Sequence, residues 1–362
     1  MIVRTESSPV QQQIELQLPS EDGNRGGRVT APLILTGRAP LIPTEVYDTY
    51  WRFAAERQAI FFRRQQGCPA PWTTDVILQA HKFTNAYRAS DRVSQYLIRH
   101  VIYEGDQTPN EVFFRIILFK LFNKIETWEL LKNTFGELRW DEYDFDRYDQ
   151  PLNDAFESGH RIYSAAYIMP SGGTFGYHRK HRNHLKLIEM LMQDKVSERL
   201  QETTSMAEGF DLLKSYPTLG DFLAYQLITD VNYSEITNYS ESEFVIPGPG
   251  ARDGIKKCFS DLGGRTESDV IRVVADRQCD EFDRLGIEFQ SLWGRPLQLI
   301  DCQNLFCEVD KYARVAHPQA VGRTGRVRIK QKFRVTPARI EYWYPPKWEL
   351  NHRIEAHAGE DR

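Results

Sequence analysis

Asp301, Asn304, Glu308 and Lys311 recur at intervals of three and four residues. If the segment is helical, two carboxylates, an amide and an amine share one face. Leu305, Val309 and Tyr312 then fall on a neighbouring face that can pack. Such a polar line is costly to bury unless its groups satisfy one another or a ligand. The plain reading is a capped, ion-paired surface helix. The sharper reading is the polar floor of a site, with carboxylates available to stabilise positive charge and a lysine to meet negative charge.

Two basic runs point to polyanions. Tyr177 to Lys186 contains no acid, and neither does Ala313 to Ile340. Arg179 and Arg182 in the first, and Arg326 and Arg328 in the second, are candidate phosphate contacts, because each such contact releases counterions. His178, His181 and His184 lack metal-ligand spacing and read as polar residues at a helix start. Asn85, Arg88 and Arg92 would share a helical face able to read a base edge or hold a phosphate. Trp72 and Tyr87 are candidate supports for a base.

Two Gly-containing turns precede candidate helices. Tyr216 to Ala224, with Gly220 at the turn, resembles the hairpin of a helix–hairpin–helix element, where exposed backbone N–H groups receive a phosphate. Phe244 to Lys257 repeats the pattern with Gly248, Gly250, Arg252 and Lys256. Asp253 is the nearest acid after this second turn.

The elements that must position these residues are mostly helical. Thr44 can cap a helix running to Gly67, and Pro71 to Asp75 opens a second that the pattern extends past Arg88 to about Tyr103. Asn110 caps a third, Val112 to Asn123, apolar almost all round and therefore central. Trp140 to Asp149 reads as an acidic, aromatic loop. Further helices are expected near 180, at about 217–232, 252–262, 267–277 and 301–315. Val321 to Tyr344 alternates like a strand pair. The predicted fold is mostly α, with a small C-terminal β element. The expected divisions are an N-terminal arm (1–40), a helical body (41–320) and a basic extension (321–362).

Composition sets further bounds. With 41% hydrophobic and 27% charged residues, 362 residues can bury a sizeable core. No apolar run approaches the length that spans a bilayer, and no secretory leader is visible. Five scattered cysteines without a Cys-x-x-Cys pair fit a reducing, cytoplasmic setting. No metal or cofactor, and no obligate protein partner, is expected. No Gly-x4-Gly-Lys-Ser/Thr P-loop occurs.

Several ordered strings together carry a family resemblance. They are Trp51-Arg52-Phe53 with Glu56-Arg57-Gln58 and Arg63-Arg64, Pro71 to Asp75, Lys82 to Arg88 with Asp91 to Gln95, Pro247 to Gly250, and Asp301 to Tyr312. The chain resembles the helical domain found with 5-hydroxymethyl-deoxyuridine DNA kinases, related to the alpha-glutamyl-putrescinyl-thymine pyrophosphorylases, over roughly residues 45–315. The resemblance implies a helix–hairpin–helix DNA-glycosylase-like body and work on modified pyrimidines in DNA. The leading expectation is a DNA glycosylase, a hydrolase that extrudes and excises a bulky modified pyrimidine, such as glucosylated hydroxymethylcytosine or a modified thymine, as phage defence. Asp301 would stabilise the sugar cation, with Asp253 second, Glu308 in support and Lys311 meeting the departing base. One alternative is a transferase or pyrophosphorylase acting on the 5-substituent of a hypermodified thymine in DNA. Another is a non-catalytic sensor of modified DNA.

Overall fold

The computed structural model describes residues 31, 33–35, 38–165, 169–335 and 341–354. Most of the expected arm, residues 1–30, lies outside them. Among the described residues the chain is mostly helical, with one small antiparallel sheet. Strand β1 (Leu33–Leu35) pairs with β2 (Arg38–Pro43), and β2 pairs with β3 (Phe259–Asp261). The sheet therefore draws on the N-terminal side. In the tail, where a strand pair was expected, the described residues carry a single bridge between Lys332 and His81.

Fourteen numbered α-helices, and a further helical turn at 351–354, are seen among the described residues. The first half contains α1 (Glu45–Gln65), α2 (Val76–Ala80), α3 (Arg92–Tyr96), α4 (Pro109–Phe122), α5 (Ile125–Phe135), α6 (Phe145–Glu157) and α7 (Lys180–Gln193). The second contains α8 (Val196–Glu202), α9 (Met206–Lys214), α10 (Asp221–Val231), α11 (Pro249–Cys258), α12 (Glu267–Asp276), α13 (Gln278–Arg284) and α14 (Leu299–Ala316).

Local rules fix many of the ends. Thr44 caps α1 by accepting from the Val46 N–H, and Thr266 with Asp269 forms a capping box at α12. Helix α4 starts at Pro109 with Thr108 at its N-cap, two residues before the expected cap Asn110. Its residues from Glu111 to Phe122 are all buried, as the unbroken apolar pattern requires of a central helix. Helices α11 and α14 cross at close range: a Cβ on Gly254 would collide with the Phe306 carbonyl oxygen, and one on Gly250 with the Cys307 sulfur. The glycines near 250 thus serve helix packing.

One expected helix does not form. The stretch from Pro71 to Tyr103 becomes the short α2, an extended run through Lys82 to Tyr87, a 3-10 turn at Arg88–Ser90, α3, and a π-helical turn at Leu97–Ile102. Side-chain acceptors explain the extended run. Thr84 N–H donates to Glu308 (2.9 Å), Asn85 N–H to Asp91 (2.8 Å) and Arg88 N–H to Asp301 (2.7 Å). Carboxylates from α14 and from the start of α3 replace the carbonyls that a helix would have used. Trp140 to Asp149, expected to be a loop, holds the first turn of α6, capped by Asp144.

Candidate functional site

Helices α4 and α10 are apolar, yet each carries a charge into the core. Lys120 is 8% exposed and Asp230 is fully buried. Lys120 Nζ lies 2.8 Å from Asp230 Oδ2, and Arg88 Nη1 lies 2.7 Å from Asp230 Oδ1. Arg88 comes from the 3-10 turn, and its Nη1 also donates to the Tyr233 hydroxyl at 2.9 Å, with its Nε reaching Gln226 Oε1 at 3.2 Å. Lys120 donates further to Asn123 Oδ1 (3.2 Å), whose residue ends α4 in the left-handed region. Burial works against the Asp230 carboxylate, but Arg88 and Lys120 outweigh it and hold its pKa below the usual value. Burial also lowers the Lys120 pKa, with Asp230 opposing. Two cations thus flank one carboxylate.

A narrow pocket opens on this cluster. Leu121, Met169, Leu219, Leu223 and Leu227 line it together with Lys120 and Gln226. It is partly open to solvent. The turn between α9 and α10 supplies Leu219, helped by a left-handed Thr218 (φ 70°). Gly220 caps α10 without a side-chain bond, and Asp221 follows it, paired with Lys214 at 2.7 Å. The turn around Gly220 joins α9 to α10, and Asp221 stands at the start of α10.

The carboxylates read as catalytic are all buried and already engaged. Asp301 accepts from Arg88 N–H and, through the capping box of α14, from Gln298 N–H at 3.0 Å. Burial pushes its carboxyl up to about 6, against those two donors. Glu308 pairs with Lys311 at 2.7 Å while holding Thr84 N–H, and Lys311 lies 4.8 Å from the centre of the Phe83 ring. Asp253 accepts from the Thr324 N–H (3.0 Å) and hydroxyl, which ties the tail to α11.

The structure brings Arg88 and Asp301 together beside Asp230, and pairs Glu308 with Lys311 on α14. Asn85 accepts from Arg57 Nη2 at 2.9 Å, and Arg92 is exposed at the start of α3. The face expected from Asn85, Arg88 and Arg92 is lost because the backbone between them is not helical. Tyr87 is buried, its hydroxyl donating to Arg295 O at 2.7 Å and accepting from Leu292 N–H. Trp72 is half-buried, with the Arg64 guanidinium 4.8 Å from the ring centre and Phe333 beside it. Gly248 caps α11 against Phe222, Arg252 Nε reaches Pro247 O at 3.3 Å, and Lys256 is exposed.

The first basic run is not acid-free in space. Arg179 pairs with Glu157, and Arg182 with Asp149 at 2.8 Å, both acids coming from α6. His181 joins Asp149 at 2.9 Å. His184 sits between the Tyr163 hydroxyl and Pro170 O, and burial pushes its pKa down to about 4. Arg326 and Arg328 are exposed. Lys120, Asp230 and Gln226 were missed in the sequence. A lysine and an aspartate within apolar helices were the available signal, since unpaired charges are rarely buried.

The family described as 5-hmdU DNA kinase, helical domain, matches residues 44–322. The chain belongs to that family. A curated relative, the 5-hmdU DNA kinase of Bacillus phage SP10, is 28% identical over 294 residues, covering 76% of this chain and 46% of that protein. The chain thus spans about half the length of the relative it matches. No solved structure matches it.

These findings correct the leading expectation. The relative is named as a kinase, a phosphoryl-transfer enzyme, and neither as a glycosylase nor as a hydrolase. Excision of a base by extrusion is therefore set aside, and the alternative of chemistry at the 5-substituent takes its place. Among the described residues no helix is long and apolar enough to cross a membrane, and no metal-binding cluster occurs.

Proposed function

We propose that this chain is a transferase that acts on the 5-substituent of a modified thymine in DNA. The observation that carries the reading is Lys120, a cation held in place by buried Asp230, on the wall of a leucine-lined pocket that Gln226 also lines. A phosphoryl group on the exocyclic oxygen is anionic. An ammonium next to it in a site of low polarity neutralises charge that develops on that oxygen when its bond to carbon or phosphorus breaks. Gln226 offers a polar contact from the same wall, and the leucines exclude water. Asp230 and Arg88 act through Lys120 and Gln226, fixing their orientation.

The family match supports DNA carrying 5-hydroxymethyl-deoxyuridine as the substrate class, because that nucleoside stands in the name of both family and relative. Two directions of chemistry share the same requirement. A phosphoryl group can be placed on the hydroxymethyl oxygen, or a phosphorylated oxygen can leave as an amine attacks the methylene. In the first, the oxygen bonds the γ-phosphorus of ATP as ADP leaves with the electron pair of the broken P–O bond, and the hydroxyl loses its proton; in the second, the carbon–oxygen electron pair departs with the phosphate, and the amine loses a proton.

The test is to incubate the purified protein with DNA containing 5-hydroxymethyl-deoxyuridine or its phosphate ester, with ATP or with amine donors, and to weigh the recovered nucleosides. The reading expects a deoxynucleoside of changed mass with its sugar attached. Free base with abasic sites, or tight binding with no change of mass under any donor, contradicts it.

A further inference from the structure

The tail between Arg326 and Arg334 has a pattern that the site above does not use. Arg326, Arg328, Lys330, Lys332 and Arg334 stand at every second position, and all five are exposed. The intervening positions are Val327, Ile329, Gln331 and Phe333, of which Ile329 and Phe333 are half-buried. In an extended chain, alternate side chains point to opposite faces and successive members of one face lie about 6.6 Å apart. The five cations all face solvent, and of the residues between them Ile329 and Phe333 pack inward while Val327 and Gln331 stay exposed.

The row is fastened at several points along its length. Asp253 holds the turn at Thr324, and Arg314 Nη1 donates to Arg328 O at 3.0 Å. Lys82 N–H donates to Gln331 O at 3.1 Å, and Phe333 N–H to Ala80 O at 3.1 Å. Phe333 then meets the edge of Trp72. Arg323, just ahead of the row, is paired with Glu267 at 2.5 Å. None of the five cations beyond it forms an ion pair with an acid among the described residues. Exposed Lys82 lies on the neighbouring segment.

We propose that residues 326–334 form a rail that follows the phosphate backbone of a DNA strand, each cation meeting a successive phosphate. The spacing of the row is that of neighbouring phosphates along a strand, and a fixed, extended row loses less freedom on binding than five independent loop side chains. The anchoring on Asp253, Arg314 and the 80–82 segment keeps the row straight. This inference rests on the proposal that DNA is the substrate, and it names where the substrate's backbone is held.

The experiment measures anisotropy of a fluorescently labelled, unmodified DNA duplex between 50 and 200 mM salt. The triple variant Arg328→Gln, Lys330→Gln, Lys332→Gln is compared with a control of equal charge change, Lys132→Gln, Lys195→Gln, Lys214→Gln. Three lost phosphate contacts should reduce the slope of log K against log salt by about 2.7 and weaken binding on the order of 100-fold near 0.15 M salt. The control should leave both nearly unchanged. An unaltered slope in the rail variant, or an equal drop in the control, overturns the rail. Because the probe carries no modified base, the rail is tested apart from group transfer. A transfer assay that finds no product would sink the proposed reaction while leaving this result standing.

Discussion

Replacing Asp230 with Asn separates the charge at the site from its shape. The amide is nearly isosteric, so packing is retained, but Arg88 and Lys120 stay buried without the carboxylate between them. Breaking a buried pair by removing one partner costs about 3–5 kcal/mol, a large share of the total stability of a folded domain. Lys120→Met moves the other way. It leaves Arg88 and Asp230 as a balanced pair, loses the bond to Asn123, and fills similar volume, which should cost about 1 kcal/mol. Thermal or denaturant unfolding of the two variants and of the double variant completes a cycle. The expected order is Asp230→Asn far below Lys120→Met, with the melting point of the former lower by on the order of 10 °C. The double variant should be more stable than Asp230→Asn alone. If Lys120→Met destabilises as much as Asp230→Asn, the charge reasoning is wrong.

Further outcomes follow from the same geometry. Lys120→Met should fold and bind DNA yet lose group transfer at least 100-fold, read as product nucleoside by mass spectrometry. Asp301 keeps its proton in the folded chain up to about 6, whereas the unfolded chain releases it near 4. Its contribution to stability is therefore full below about pH 4 and lost as pH rises through about 6. In Asp301→Asn that fall between pH 4 and 6 should flatten, with a loss of about 1–3 kcal/mol where the amide cannot accept both N–H donors, as measured by urea unfolding across pH. Asp253→Ala removes a negative charge, which alone would favour DNA, but it frees Thr324 and loosens the rail, so DNA affinity should fall. Gly254→Ala should destabilise by about 3 kcal/mol or prevent folding, since the Phe306 backbone cannot yield, and soluble yield with thermal unfolding reports it.

The fold class, the central place of α4 and the start of α1 were legible because they rest on local periodicity and caps. The segment from Lys82 to Arg88 was not. Its backbone is held by Glu308 and Asp301, more than 200 residues away in sequence, and no window of local pattern contains that partner. The same fact explains the misread face of α14. Its evenly spaced acids were visible, but their partners proved to be backbone N–H groups and Lys311. The acid-free run around Arg179 was similarly local. Asp149 and Glu157, only some thirty and twenty residues upstream, fold back onto it. Asp230 was overlooked because one acid in an apolar helix forms no motif until Lys120 and Arg88 stand beside it.

The reading stands or falls on what occupies the pocket beside Lys120. A structure bound to a short DNA carrying a 5-phosphonomethyl-deoxyuridine, which cannot release its phosphorus through oxygen, addresses this directly. The phosphonate should sit within ion-pair distance of Lys120 Nζ and near Gln226, with the backbone of the strand along Arg326 to Arg334. A phosphonate held elsewhere, with the DNA bound and the Lys120 pocket empty, would contradict the account.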